Sequence, residues 1–271
     1  MLEQAIDFRK ESMALYQLLK PLDADEFATA TQFKKWTFND ILRHLHIWNL
    51  AADQSLRDQA ALQRFLQQVT AALKQEDLRA FEEQWLAHVS GPELLERWHD
   101  QFMDMSAHFA AADPKARVKW AGPDMSVLSS ITARLMETWA HGQAIYDALG
   151  VDRTDADRIR NIATLGVNTF GWTFRNRGLA VPGKAPFVQL TAPSGDTWSW
   201  NEPDAADRVE GSATDFCLVV TQARNVADTA LRVSGETATL WMAVAQCFAG
   251  PPVDPPPPGT RFKWGKWLEK D

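Results

Sequence analysis

Trp36-Thr37-Phe38-Asn39-Asp40-Ile41-Leu42-Arg43-His44-Leu45-His46-Ile47-Trp48-Asn49-Leu50 decides the reading of the first half of the chain. Thr37 is a helix-capping residue, Asp40 favours the positive N-terminal end three residues later, and apolar residues then carry the pattern on to Leu50. A helix is therefore predicted from about Phe38 to the mid-fifties. Upstream, residues 1 to 19 carry apolar side chains at helical spacing, with Pro21 just beyond. Downstream, residues 56 to 90 lack Pro and Gly and show one stripe, Leu62, Phe65, Leu66, Val69 and Leu73. Pro92 begins a further helix, PELLERWHDQFMDMSAHFAAA, and Ser126 can cap another through Ala148, closed by Gly150. Four long helices with short connections and one insertion predict an antiparallel bundle.

The 271 residues change character after that point. Residues 1 to 150 hold four of the 14 Gly and four of the 14 Pro, although they are more than half of the chain. The remainder is rich in turn formers, and residues 154 to 170 read as helix before the pattern shifts. PFVQLTAPSGDTWSWN predicts two strands around Ser194-Gly195-Asp196, DFCLVVT a third, TALRVSGET a fourth, and ATLWMAVAQCFAG a closing helix. The expected fold is thus mixed, a helical bundle over residues 1–150 and a small α+β domain over 151–250. A Pro-rich tail, 251–271, should run along the surface, pinned by Trp264 and Trp267.

A net charge of −7 with no basic run argues against a nucleic-acid partner. No stretch approaches the length of a membrane span, and no secretory leader is visible, so a cytoplasmic protein is expected. Cys217 and Cys247, the only cysteines, lie in apolar stretches and should be core thiols rather than a disulfide framework.

Six histidines can each be weighed. Glu137 and His141 are four residues apart and share a helix face, set among Leu135, Met136, Trp139 and Ile145. A carboxylate on a face that approaches the core needs a partner, and a carboxylate with an imidazole can grip one ion. His44 from another helix would complete two His and one carboxylate, leaving coordination positions open. His46 lies about 200° from His44 on a helix, so both cannot face one ion and one of them is a bystander. His88, His99 beside Asp100, and His108 four residues after Asp104 read as surface or helix-end groups. Asp40 has two readings: a partner that orients His44, or ordinary stabilisation of the helix start. Phosphate-binding, serine-hydrolase and His-Glu-x-x-His motifs are absent.

Trp36-Thr37-x-x-Asp40-x-x-x-His44-Leu45 with Glu137-x-x-x-His141-Gly142-Gln143 resembles the DinB-like metal-binding bundle. The branch is the one that includes mycothiol-dependent maleylpyruvate isomerase. The resemblance places a divalent ion, most often zinc, on His44, Glu137 and His141. LGVNTFGWTFRNRGL and VEGSATDFCLVVTQARN extend it to a C-terminal domain like a sterol-carrier-protein fold, and to a subfamily formerly labelled wyosine base formation. The branch also has an Arg after a central strand that helps to hold a low-molecular-weight thiol, mycothiol or glutathione. Arg224 falls nearest to that position, with Gln222-Ala223 where the pattern has Gly-Arg. Arg175 and Arg177 are further candidates to hold an anion.

The resemblance implies a metal- and thiol-dependent transferase or isomerase that acts on a small molecule, with a homodimer as the expected assembly. Two other readings stay open on the residues alone. The same open ion could activate water in a hydrolase. Alternatively, the metal is structural and the second domain binds an apolar ligand in a tunnel lined by Trp172, Trp198, Trp200 and Trp241.

Overall fold

The computed structural model describes residues 1–74, 78–203 and 206–264. The chain forms two compact units, Met1–Ala148 and Leu149–Asp271. No helix among the described residues is long and apolar enough to cross a membrane.

The first unit is helical. Its elements are α1 (Glu3–Leu19), α2 (Phe38–Arg57), α3 (Gln59–Ala72), α4 (Leu78–Trp85), α5 (Gly91–Ala111) and α6 (Val127–Leu149). A two-stranded ribbon, β1 (Arg117–Val118) with β2 (Met125–Ser126), precedes α6. α2 begins where the sequence says it should, and the cap is reciprocal. Thr37 Oγ1 accepts from the Asp40 backbone N–H at 3.1 Å, while the Asp40 carboxylate accepts from the Thr37 N–H at 2.8 Å. The second role weighed for Asp40, stabilisation of the helix start, is the one it fills.

Both α1 and α2 pack on α5, and their apolar faces meet in a core that includes Leu15, Leu19, Phe38, Leu42, Trp98 and Phe102. Each such side chain contributes about 1.5–3 kcal/mol by leaving water. The stripe expected on α3 holds for Leu62, Phe65 and Val69, which are buried, but Leu73 is the C-cap of the helix and is exposed. It sits where the helix ends, so no neighbouring turn covers it.

The second unit is α+β. It comprises α7 (Arg160–Asn168), α8 (Phe170–Asn176), β3 (Phe187–Thr191), β4 (Thr197–Trp200), β5 (Arg208–Ser212), α9 (Ala213–Val220), β6 (Arg232–Ser234) and α10 (Glu236–Val244). The sheet order is β4-β3-β5-β6. β3 and β4 form the antiparallel hairpin expected around Ser194-Gly195-Asp196, β5 runs parallel to β3, and β6 antiparallel to β5.

One expectation fails here. DFCLVVT is not a strand but most of α9, and the strand lies just before it, in β5. Ser212 explains the switch, because its hydroxyl accepts from the Asp215 N–H at 2.9 Å and caps a helix at that point. A short, wholly apolar run carries no period that separates strand from buried helix. α9 then lies close against α7 at Gly166, where a Cβ would come within 2.8 Å of Val220.

Cys217 and Cys247 are buried and outside any disulfide among the described residues, as expected of core thiols. Burial pushes the Cys217 thiol well above its usual range. Trp241 is also core, edge-on to Phe170 and Phe216. The described part of the tail is held by polar contacts. Asn225 Nδ2 donates to the Pro256 carbonyl, Gln222 Nε2 to that of Val253, and Asp228 accepts from the Gly259 N–H. Trp264 is half-buried, and Trp267 lies outside the described residues.

Candidate metal centre

The three residues singled out from spacing converge in space. One ligand atom each from His44, Glu137 and His141 lies within 4.8 Å of the others. His141 Nε2 is 3.2 Å and His44 Nε2 3.7 Å from the same oxygen, Glu137 Oε2. Bonds of about 2.0–2.1 Å to a tetrahedral ion would set donor atoms about 3.3 Å apart, so the trio needs only small movements to grip one. All three side chains are mostly buried.

The orientation of His44 comes from a residue that spacing did not reveal. Glu82 on α4, 1% exposed, places Oε1 2.8 Å from His44 Nδ1 and 2.9 Å from Trp48 Nε1. A carboxylate can only accept there, so Nδ1 carries the proton and donates it. Nε2 is thereby aimed at Glu137. Asp40, the other candidate for that role, is engaged with the α2 cap, Arg43 and Arg79. A signal for Glu82 exists in the sequence: Leu78, Phe81, Glu82 and Trp85 follow i, i+3, i+4, i+7, which puts this carboxylate on the apolar face of its helix.

Aromatic rings wall the cluster. The Trp36 ring lies parallel to His141, 5.6 Å between centroids, and Phe33 meets the same imidazole edge-on. A tight backbone turn holds both, with the Thr31 N–H donating to the Trp36 carbonyl at 2.8 Å and the Trp36 N–H to that of Phe33. Trp48, Trp120 and Phe65 continue the wall beside His44. Arg134, one turn before Glu137 on α6, sets Nη2 3.8 Å from Glu137 Oε1.

The electrostatics of the metal-free cluster follow from these contacts. Burial alone would lower His44, but the Glu82 and Glu137 carboxylates push it up to about 9. Burial likewise opposes the charge on Glu137, yet hydrogen bonds from His141 and His44 and the Arg134 charge hold it well below the usual carboxylate range. Burial keeps His141 low and neutral. The cluster therefore holds a carboxylate and a neutral imidazole ready to donate electron pairs, and a second imidazole whose Nε2 proton an ion must displace.

Residues 8–146 match the family described as the mycothiol maleylpyruvate isomerase N-terminal domain. The chain belongs to that family. Two uncharacterized proteins of Mycobacterium tuberculosis, from strains CDC 1551 / Oshkosh and H37Rv, are each 42% identical to it over 250 residues, covering 91% of this chain and 95% of theirs. Among solved structures, the mycothiol-dependent maleylpyruvate isomerase superposes with a TM-score of 0.55 at 16% identity, over 86% of this chain and 93% of its own. A histidine-to-alanine variant of that isomerase gives 0.51 at 17% identity, over 80% and 87%. At such identities the likeness is one of fold.

The other sequence candidates lie elsewhere. His46 is mostly buried, and burial followed by the Arg97 charge lowers it to about 4. His108 pairs with Asp53 at 2.8 Å rather than with Asp104, and His99 with Asp100 at 3.1 Å. In the second unit, Arg177 donates to Asp254 at 2.8 Å and to the Val253 carbonyl, while Arg224 donates to the Ala223 carbonyl at 3.0 Å. Arg175 lies on α8, its guanidinium over Gly171.

Proposed function

We propose that this protein is a thiol-dependent isomerase or S-transferase whose N-terminal unit holds a divalent ion, zinc in the first instance, through His44, Glu137 and His141. The observation that carries the reading is the convergence of these three donors from two helices, with one imidazole already oriented by a buried carboxylate. Two nitrogens and one oxygen suit zinc, and three protein ligands leave the open position that chemistry requires. When bound there, the ion supplies a Lewis acid that lowers the pKa of a low-molecular-weight thiol, such as mycothiol or glutathione, so that sulfur reacts as a thiolate.

The chain's own residues do the rest. Glu82 holds His44 in one tautomer and one orientation. Trp36 and Phe33 cover His141, and Trp48 with Trp120 narrows the approach on the His44 side, which excludes bulk water and strengthens charge interactions inside. In the second unit, Arg224 is the candidate to hold an anionic group of the thiol cosubstrate. The membership of the family, whose solved representatives include an enzyme described as mycothiol-dependent, supports the thiol.

Metal analysis of purified protein tests the ion. Wild type should carry near-stoichiometric zinc, and Glu137→Ala and His141→Ala should bind it at least ~100-fold more weakly. Undiminished metal in both variants would remove the ligand set. Titration of metal-loaded protein with mycothiol, glutathione and bacillithiol, read by thermal shift and conjugate formation, tests the chemistry. Failure of all three thiols to bind would overturn the transferase reading and leave the metal site standing.

A further inference from the structure

Each of α1, α2, α3, α5 and α6 buries several apolar side chains, but α4 does not. Its one buried residue is Glu82, while Leu78, Phe81 and Trp85 are only half-buried. The Glu82 carboxylate is the catch, since Oε1 accepts from His44 Nδ1 at 2.8 Å and from Trp48 Nε1 at 2.9 Å, both on α2. Two ion pairs flank it at longer range, Arg79 with Asp40 at 3.7 Å and Glu83 with Arg43 at 3.4 Å, and the Arg79 and Glu83 side chains are 40% and 45% exposed. Such pairs add little. Eight residues do not hold a helix in water unaided, and burying a carboxylate offsets part of what the Phe81 and Trp85 contacts with Phe65 contribute.

Strain lies directly behind this lightly held helix. Ala87 and His88 both take the left-handed backbone, at φ 49° and 60°, which costs roughly 1–2 kcal/mol for a residue with a Cβ. Just beyond, the chain is fastened to α2 again, with Arg43 Nε donating to the Val89 carbonyl at 3.2 Å and the Gly91 N–H to Asn39 Oδ1 at 2.7 Å. Release of α4 therefore relaxes two strained residues without loosening the anchor that follows them.

We propose that α4 is a flap hinged at Ala87-His88, and that an ion on His44 latches it shut through Glu82. The linkage follows from reciprocity. A docked Glu82 that fixes the imidazole raises metal affinity ~10–100-fold, so the ion must raise the docking equilibrium of α4 by the same factor. Docked, α4 sets Phe81 and Trp85 on Phe65, which abuts Trp48 beside His44. The latch rests on the metal reading above, whereas the flap does not.

Hydrogen exchange of the full chain, read by mass spectrometry with and without saturating zinc, tests both. In metal-free wild type the α4 amides should exchange at least ~10-fold faster than those of α2, the mark of local opening. Zinc should slow them ~10–100-fold, and in Glu82→Ala, with metal content confirming that it is loaded, zinc should leave them unchanged. If that variant does not fold, Glu82→Gln serves in its place, with the slowing cut to a few-fold. Amides of α4 as slow as those of α2 would overturn the flap, and bound zinc without slowing, or full slowing in the variant, would overturn the latch. Wild type that carries no zinc would remove the metal reading and the latch together, and the metal-free comparison would still decide the flap.

Discussion

In the unit Leu149–Asp271, the side-chain amides of Gln222 and Gln246 turn onto the chain's own backbone. Gln222 Nε2 donates to the carbonyls of Ala245 and Val253, Gln246 Nε2 to those of Phe248 and Pro251, and Gln246 Oε1 accepts from the Val253 N–H. In the unit Met1–Ala148, the buried polar groups around His44 pair with one another, and they stop short of satisfaction. Arg134 Nη1 and Glu82 Oε2 are both buried without a hydrogen-bond partner among the described residues. The first arrangement pins a proline-rich segment that cannot supply many N–H donors of its own. The second keeps charge and unused hydrogen-bonding capacity beside an open cluster, which adds nothing to stability and suits a ligand. The difference separates two glutamine amides that hold the fold from charged groups beside the cluster that keep unused hydrogen-bonding capacity.

The largest effect that should sharpen this contrast lies at Gln222. Its backbone sits at φ 56°, the left-handed position after α9, and its side chain offsets that strain with two hydrogen bonds, of which the one to the Ala245 carbonyl is buried. Gln222→Ala strands the Ala245 carbonyl and should destabilise the protein by about 2–3 kcal/mol. Gln222→Gly should recover ~1 kcal/mol of that loss by relaxing the backbone. Zinc content should not change in either variant. Thermal unfolding with metal analysis reads both quantities, and metal loss in the Ala variant would break the separation.

At Glu82 the expected pattern reverses. Glu82→Gln keeps an acceptor for His44 or Trp48 but removes the charge that fixes the imidazole, so zinc should bind ~10–100-fold more weakly. Folding stability should move by less than about 1 kcal/mol, because the variant no longer buries a carboxylate with one unmet oxygen. Unchanged zinc affinity would make Glu82 a packing residue only.

The same contrast explains what could be read from residues alone. The α2 start was legible because Thr37 and Asp40 act locally, within one turn. The β3–β4 hairpin was legible from Ser194-Gly195-Asp196 for the same reason. His44, Glu137 and His141 could be named because a face shared at i, i+4 is a local fact, and the family resemblance brought in the second helix. α9 was misread because an apolar run such as Phe216-Cys217-Leu218-Val219-Val220 has no period of its own. Its state is set by the Ser212 cap and by packing against Gly166. Glu82 was missed for a different reason. Its carboxylate gains a role only through Trp48 and His44, 34 and 38 residues away, although its place on the apolar face of α4 was visible. Arg134 sat one turn from Glu137 in plain view, but the unmet donor that sets it apart is a property of packing.

The smallest effect, and the one that brings the contrast down to a single helix, is the pH dependence of the metal-free protein. His44 and His46 stand two residues apart on α2 and are shifted in opposite directions, one to about 9 and the other to about 4. For His44 the folded pKa lies above the unfolded value of about 6.5, so its contribution is fully present below that pH and is lost as pH rises toward 9. For His46 the folded pKa lies below it, so stability falls as pH drops from about 6.5 toward 4. Each slope is at most ~1.4 kcal/mol per pH unit. Metal-free protein should therefore be most stable near pH 6.5, and His46→Gln should weaken the acid limb alone, leaving the part contributed by His141, which burial also lowers. Zinc displaces the His44 proton, so saturating metal should remove the alkaline limb and leave the acid limb in place. An alkaline limb that survives saturation with zinc would mean that His44 keeps its proton, and so does not bind the ion.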